Sequence, residues 1–302
     1  MKKYILKILL LFALVAVGDI LFGICMKHVY SSIKSGGQGR NNYIANELKA
    51  DLVVFGSSRA LNHYNTKLLQ DSLGITCFNC GEDGNGILLA YGRLWMLKKR
   101  YTPKTIIMDI TPSFDLLKSK DGMNMEWLRP FYDYDGIKEI FQDLDSNEKY
   151  KMLSSCYKYN SFFFLRLSSY LFGSGLEEKG NGFFPRKGTM NPKKKNILKD
   201  LPVEYDSLKI KYLNKFIDLA SDSKLYFIIS PVWYDLRESR EKEIKSLKTI
   251  CENKSIPLID FTNDLKFIGN DSLFHNGTHL NNKGADEFSK DVVRIIRQSV
   301  AK

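Results

Sequence analysis

Apolar and polar positions alternate in blocks along most of the chain, and these blocks predict strands separated by helices. Short apolar runs predict five buried strands, at 51–55, 75–79, 105–110, 225–230 and 256–261. Apolar residues at helical spacing predict helices at 57–73, 86–99, 205–221, 236–253 and 282–298. Strand–helix–strand units of this length are typical of a parallel sheet covered by helices on both faces. We therefore expect a three-layer α/β/α fold with a five-stranded parallel sheet in flavodoxin-like order.

One long segment, 116–203, interrupts this alternation. It is rich in aromatic and charged residues and shows no strand pattern, but it predicts helices at 136–144, 147–156 and 160–172. We expect a helical insertion there, which leaves 48–115 and 204–302 as the α/β core. Three consecutive phenylalanines, 162–164, stand at the head of the last predicted helix, and we expect them to be core residues.

The first 30 residues form a separate apolar segment. Three lysines precede an apolar run from Ile8 to Cys25, which only Asp19 interrupts. About 20 apolar residues span a bilayer as a helix, and the positive start favours an amino end in the cytoplasm. We therefore expect 1–30 to be a retained membrane anchor, followed by a polar, glycine-containing linker at 31–47.

A cleaved signal peptide is the alternative for this segment. Ala16 and Gly18 are small residues at the −3 and −1 positions of a cut before Asp19. The apolar run resumes after Asp19, which favours the anchor. A carboxylate in lipid is costly, so we expect Asp19 to face a partner helix, of a membrane partner protein for example, or to lie near the interface. Either way, the main domain lies on the extracytoplasmic side of the cytoplasmic membrane.

Composition and charge narrow the function classes further. With 302 residues, 44% hydrophobic and 26% charged, the chain has the composition of a globular protein, and wholesale disorder is excluded. Its five scattered cysteines do not make a disulfide scaffold, and we expect Cys77 and Cys80 to be buried thiols. The formal net charge of +11 suits an anionic polymer or surface. An extracytoplasmic location argues against nucleic acid as that partner.

Two short motifs contain the residue types that serve as nucleophile and base in catalysis. The first strand runs into Gly56-Ser57-Ser58-Arg59, where a serine meets the free N–H groups of the next helix. This arrangement suits an activated nucleophile, although a helix N-cap is the commoner role for serine. The second motif, Asn276-Gly277-Thr278-His279, precedes the last helix and returns to the same edge of the sheet. Histidine is the usual base for a serine, and an exposed loop histidine is the alternative.

Together these motifs resemble those of the SGNH, or GDSL-type, hydrolases and acyltransferases. Gly56-Ser57-Ser58 resembles the first block of that family, which implies that Ser58 is the nucleophile. Asn79, followed five residues later by Gly84, resembles the second block, whose glycine N–H lines the oxyanion hole. His279 matches the catalytic histidine. The anchor and the GSSR sequence resemble the membrane-anchored, extracytoplasmic bacterial branch, whose members commonly act on cell-envelope polymers.

The chain departs from the family pattern at two places. Asn276 stands where the family has an aspartate; an amide orients a histidine without supplying charge, and it can select the wrong tautomer. In trypsin-type proteases an Asp-to-Asn change at this position costs about 10⁴ in turnover. Asp271 is the nearest upstream carboxylate. The second departure follows the third strand, where the asparagine donor to the oxyanion hole is missing and Thr111 or Ser113 would be weak substitutes; one such donor contributes about 3 kcal/mol.

Two functional hypotheses follow. In the first, the protein is a membrane-anchored O-acyl esterase or O-acyltransferase that acts on a cell-envelope glycan. Ser58 attacks the acyl group, His279 is the base, Asn276 orients His279, and the N–H groups of Ser58 and Gly84 bind the oxyanion. No cofactor or metal is expected. In the second hypothesis, the protein is a catalytically weak scaffold or glycan-binding module of envelope polysaccharide assembly.

Overall fold

A computed structural model of the chain describes residues 1–173, 181–191, 203–234 and 237–300. These residues belong to two compact units. Unit 1 comprises Met1–Tyr43 and Met125–Leu176, and unit 2 comprises Ile44–Asn124 and Glu177–Lys302. The candidate motifs for catalysis all lie in unit 2.

Unit 2 contains a parallel sheet of five strands. The strands are β1 (Leu52–Gly56), β2 (Cys77–Asn79), β3 (Thr105–Asp109), β4 (Lys224–Ile229) and β5 (Leu258–Asp260). Their order is β2-β1-β3-β4-β5, and each neighbouring pair is parallel. The predicted flavodoxin-like order is therefore confirmed. A small antiparallel pair, β6 (Phe274–Asn276) and β7 (His279–Leu280), holds the histidine motif.

The described helices follow the predicted pattern, except that two predicted helices are divided and two further helices, at 36–46 and 112–115, are present. In chain order they are α1 (Lys2–Ser32), α2 (Gly36–Asn46), α3 (Ser58–His63), α4 (Thr66–Leu73), α5 (Ile87–Lys98), α6 (Pro112–Asp115), α7 (Asp135–Leu144), α8 (Glu148–Lys151), α9 (Ser155–Tyr159), α10 (Phe163–Phe172), α11 (Ser207–Leu219), α12 (Arg237–Lys254) and α13 (Asn282–Val300). The predicted helix 57–73 is divided because Asn65 caps α4, with its Oδ1 accepting from Leu68 N. The predicted helix 147–156 is divided by the cap of Ser154 on α9.

Helices cover both faces of the sheet, as the sequence predicts. Strand β1 is buried along its whole length. On one face its Phe55 ring packs edge-on against Phe216 of α11, with ring centroids 5.6 Å apart. On the other face, Val54 belongs to a core cluster that contains Phe288 and Val292 of α13. Burial on both faces explains why the strand sequence is uniformly apolar and does not alternate.

Helix α2 and the phenylalanines at 162–164 differ from what the sequence predicts for them. Helix α2 lies within 31–47, the stretch for which the sequence predicts a polar linker. Asn42 of this helix donates to the carbonyls of Tyr30 and Ile33, at 2.7 and 2.8 Å, and so satisfies the end of α1. The expectation that the phenylalanines at 162–164 are core residues is wrong for Phe164, which is exposed. Helix α1 is long and apolar enough to cross a membrane, a property that signal sequences share.

Candidate active site

The turn between β1 and α3 positions Ser58. Gly56 has a φ of 139°, and a Cβ there would lie 2.6 Å from the carbonyl oxygen of Asp109, so the tight turn requires glycine. Ser57 is the N-cap of α3, and its Oγ accepts a hydrogen bond from Arg59 N. The cap role that the sequence allows for a serine therefore belongs to Ser57. Ser58 is the first residue of the helix, and its hydroxyl is available for other contacts.

Ser58, His279 and Asn276 form a hydrogen-bonded chain. His279 Nε2 lies 2.8 Å from Ser58 Oγ, and His279 Nδ1 lies 3.1 Å from Asn276 Oδ1. The backbone N–H groups of Thr278 and His279 also donate to this Oδ1, each at 3.0 Å. Because these donors fix the amide oxygen toward the ring, Nδ1 carries the proton and Nε2 accepts from the serine hydroxyl. Asn276 thus selects the tautomer that a general base needs.

The loop after β2 holds Gly84 in a conformation suited to glycine. Its φ is 69°, and no atom lies near the position of a Cβ. Asn79 shapes the start of this loop, since its side chain donates to Ala60 O at 2.7 Å and accepts from Gly81 N at 2.9 Å. Among the described residues, none accepts a hydrogen bond from the N–H of Gly84 or of Ser58. The predicted role of these two N–H groups as an oxyanion hole requires such unoccupied donors.

The sequence region after β3 does not replace the missing asparagine donor. Thr111 Oγ1 lies 2.9 Å from Ser57 Oγ and accepts a hydrogen bond from Arg59 Nε at 3.0 Å. The backbone of Ser113 is bound by Lys209, whose Nζ donates to its carbonyl at 2.7 Å. The threonine hydroxyl is thus engaged beneath the site, next to the buried Arg59 side chain.

Asp271 does not serve as a substitute carboxylate for His279. Its Oδ1 accepts a hydrogen bond from the indole Nε1 of Trp233 at 2.8 Å. The only side-chain oxygens that contact His279 Nδ1 among the described residues come from Asn276 and Thr278. The histidine therefore has polar but uncharged partners on this side.

Burial and nearby basic groups both act on His279. Burial, followed by electrostatic repulsion from Arg186, Arg59 and His275, lowers the pKa of His279 to about 4. Near neutral pH the imidazole is consequently uncharged and able to accept a proton. The same surroundings disfavour the imidazolium that forms when it does so, because among the described residues no carboxylate contacts the ring at Nδ1.

A segment without regular structure, residues 181–191, crosses the edge of unit 2 beside the site; we call it the strap. The carbonyl of Asn181 accepts from Asn79 N at 2.8 Å at edge strand β2, and Phe184 N donates to Leu61 O at 3.0 Å. Arg186 Nε donates to Asn62 Oδ1 at 3.1 Å, and its Nη2 lies 3.2 Å from an oxygen of Asp83. The strap thereby places a partly exposed guanidinium next to α3, the helix that begins with Ser58.

Sequence reasoning missed two residues of this site. The sequence places His63 on the flank of a helix, but it is fully buried, and its ring lies 6.1 Å from that of His279. Its distance of five residues from Ser58 gave no signal for the site, because that spacing turns the two side chains about 140° apart around a helix. Arg186 carried no signal, because it lies in the segment that the sequence assigns to the insertion.

The sheet order, a serine at the end of β1 and a hydrogen-bonded histidine before the last helix agree with what the resemblance to SGNH-type hydrolases leads us to expect of unit 2. Neither a protein-family model nor a curated protein matches the chain. Its membership of the membrane-anchored branch stays a prediction.

Several solved structures are similar to the chain, and three of them are described here. One is described as an acylhydrolase from Bacteroides fragilis, with 12% identity, a TM-score of 0.43, and coverage of 87% of this chain and 96% of the other. Another is described as a lipolytic protein of the G-D-S-L family from Desulfitobacterium hafniense, with 11% identity, a TM-score of 0.40, and coverage of 81% and 99%. A third is a family two carbohydrate esterase from Clostridium thermocellum in complex with cellohexaose, with 7% identity, a TM-score of 0.39, and coverage of 83% and 64%. At this similarity, these descriptions assign no activity to the present chain.

Proposed function

We propose that this protein is a membrane-anchored serine esterase or O-acyltransferase that acts on acyl groups of a cell-envelope glycan. The observation that supports it is the 2.8 Å contact between Ser58 Oγ and His279 Nε2, with the tautomer fixed by Asn276. A serine in this contact can lose its proton to the imidazole as it attacks a carbonyl carbon.

The reaction runs in two halves. Ser58 Oγ bonds to the acyl carbon while its proton moves to His279 Nε2, and the carbonyl oxygen becomes an oxyanion that faces the N–H groups of Ser58 and Gly84. The tetrahedral intermediate then expels the alcohol, which takes the proton from His279, and an acyl-enzyme remains. Water or a sugar hydroxyl next attacks the acyl-enzyme, and His279 again accepts and returns the proton. Water completes hydrolysis, and a sugar hydroxyl completes transfer.

The proposed glycan substrate is inferred from the charge of the protein, and the proposed location is inferred from α1. A cationic site and a net charge of +11 suit an anionic envelope polymer. Lysines at the start of α1 favour a cytoplasmic amino end, so that unit 2 lies on the periplasmic side of the cytoplasmic membrane. The acylated glycan would then reach the enzyme on the outer side of the cytoplasmic membrane.

Covalent labelling of the full chain in detergent with a fluorophosphonate probe tests the nucleophile. We expect the probe to label the wild type and Ser57→Ala but not Ser58→Ala, because only Ser58 contacts His279. Ser57 is a matched control, since it is the neighbouring serine and its hydroxyl faces Thr111. Equal labelling of wild type and Ser58→Ala would overturn the assignment.

One observation favours a second candidate function. The absence of a carboxylate partner and the lowered pKa of His279 are what a catalytically weak scaffold or glycan-binding module would show. If the probe labels no variant and the protein still binds an envelope glycan, this second function replaces the first.

A further inference from the structure

Helix α10 of unit 1 buries its charged residue and exposes large apolar residues, which is the reverse of the usual arrangement in a water-soluble protein. Arg166, its only charged residue, is 1% exposed, whereas Phe164 and Phe172 are 82% and 83% exposed. Leu165 and Leu171 are exposed as well. A helix on the surface of a water-soluble unit shows the opposite distribution. The outer face of α10 is therefore uncharged and, apart from Ser168, apolar along its described length.

Both terminal nitrogens of the inward-facing Arg166 donate hydrogen bonds within the unit. Its Nη1 donates to Ser161 O and its Nη2 to Glu126 O, each at 2.8 Å. Its guanidinium also lies over the ring of Tyr30 of α1, 4.9 Å from the centroid. Specific partners inside the unit hold the Arg166 side chain inward. The face of α10 that carries Phe164 and Phe172 is therefore turned outward by the fold itself.

Asp19 of α1 shows the same reversal within the apolar run. Its carboxylate accepts hydrogen bonds from Ser154 Oγ, Ser155 N and Cys156 N, at 2.9, 2.7 and 2.8 Å. These donors belong to the start of α9, so a neighbouring helix of the same chain satisfies the one acidic group of the run. Polar groups that face the interior and apolar groups that face outward are typical of helices packed together in a bilayer.

The length of α1 places this contact at the outer membrane boundary. A hydrocarbon core of about 30 Å accommodates about 20 helical residues, which corresponds to Tyr4–Gly23 if the span starts after Lys3 and the long side chain of Lys7 reaches back to the headgroups. Asp19 then lies about one turn below the outer boundary, and Phe22 lies at it. Phe163 of α10 packs against Phe22, with ring centroids 6.4 Å apart. Helix α10 is thereby brought to the level at which lipid headgroups meet acyl chains.

We infer that α10 is a second membrane-contacting element, whose exposed phenylalanine and leucine side chains insert into the outer leaflet of the lipid bilayer beside α1. The occupant of this apolar face is lipid, because the face continues the exposed apolar surface of α1 and presents no charge for a soluble partner. The inference rests on the proposed membrane anchor and is independent of the catalytic chemistry.

Spin-label accessibility in the full chain, reconstituted into phosphatidylcholine vesicles, tests this inference. Labels are attached in a Cys25→Ser, Cys156→Ser background at Phe164→Cys and Phe172→Cys. Leu14→Cys on α1 reports the anchor, and Lys138→Cys, at an exposed position on α7 of the same unit, is the aqueous control. Apolar oxygen concentrates in lipid and a nickel chelate stays in water, so the ratio of their collision rates reports immersion.

We expect several-fold higher oxygen-to-nickel ratios at both α10 positions than at the Lys138 position, and the highest ratio at the Leu14 position. An aqueous ratio at α10 with an immersed Leu14 position would overturn the inference while the anchor stands. Low collision with both reagents at α10 would mean that protein covers this face, and it would also overturn the inference. An aqueous Leu14 position would remove the anchor and the inference together, while labelling of Ser58 would still report on the enzyme.

Discussion

His63 Nε2 accepts a hydrogen bond from the backbone N–H of Leu280, the residue directly after His279, at 3.1 Å. Its Nδ1 lies 3.1 Å from Ser230 Oγ, so the ring bridges the end of β4 and the loop of the candidate base. Ser230 is itself fully buried. A chain of buried polar groups thus anchors the loop that presents His279 to Ser58.

Replacement of His63 by alanine is expected to affect activity and stability together. The Leu280 N–H would lose its buried acceptor, which costs about 1–3 kcal/mol in the free energy of unfolding. Because the His279 loop would lose its anchor, kcat should fall while KM changes little. His63→Gln offers both an acceptor and a donor and should recover part of kcat. Kinetics and thermal unfolding of the two variants test this, and an unchanged kcat in His63→Ala would limit His63 to a structural role.

The strand pattern could be predicted from the sequence because each strand is buried on both faces. Runs such as 105–110 are apolar without alternation, and the motifs at Ser58 and His279 stand at fixed points relative to those strands. The strand order followed because right-handed crossovers leave few alternatives. These features depend on local sequence and on general rules of chain connection.

The features of the site and fold that could not be predicted from the sequence depend on contacts between distant segments of the chain. Arg186 reaches the site because the strap pairs with Asn79 and Leu61, more than 100 residues earlier in the chain. Nothing in the composition of the strap indicates these partners. The orientation of the Asn276 amide depends on backbone N–H groups of its own turn, which only the folded geometry reveals. The exposure of Phe164 is set by the inward partners of Arg166, which contradict the usual burial rule.

Asn276→Asp is expected to increase esterase turnover. The carboxylate would keep the hydrogen bonds from Thr278 N and His279 N and would add a negative charge beside the imidazolium. Since the opposite change costs about 10⁴ in a trypsin-type protease, a gain of about 10-fold or more is expected here. Turnover of a small acetyl ester measures it, and Asn276→Ala, which removes the orienting oxygen, should lose activity. A loss in Asn276→Asp would show that the amide serves a different chemistry.

Lys209→Met is expected to destabilise unit 2. The ammonium group of Lys209 is fully buried and donates to the carbonyls of Ser113, Leu117 and Asp121 at 2.7, 2.9 and 2.8 Å. Its loss leaves these acceptors unpaired, at a cost of about 2–4 kcal/mol. Thermal unfolding in detergent measures the change, with Lys211→Met on the exposed side of α11 as control. Equal melting temperatures for the two variants would contradict this account of Lys209.

The pH dependence of kcat/KM should report the cationic surroundings of His279. The free enzyme needs a neutral imidazole, so kcat/KM should be constant near neutral pH and fall as pH drops through about 4. Arg186→Gln removes a positive charge that faces His279, so it should raise the His279 pKa and move the acid limb to higher pH. Lys187→Gln, the same charge change at the next residue, should leave the limb in place, because Lys187 is not among the groups that lower this pKa. Equal shifts in both variants would mean that overall charge, and not the placement of Arg186 by the strap, sets the basicity of His279.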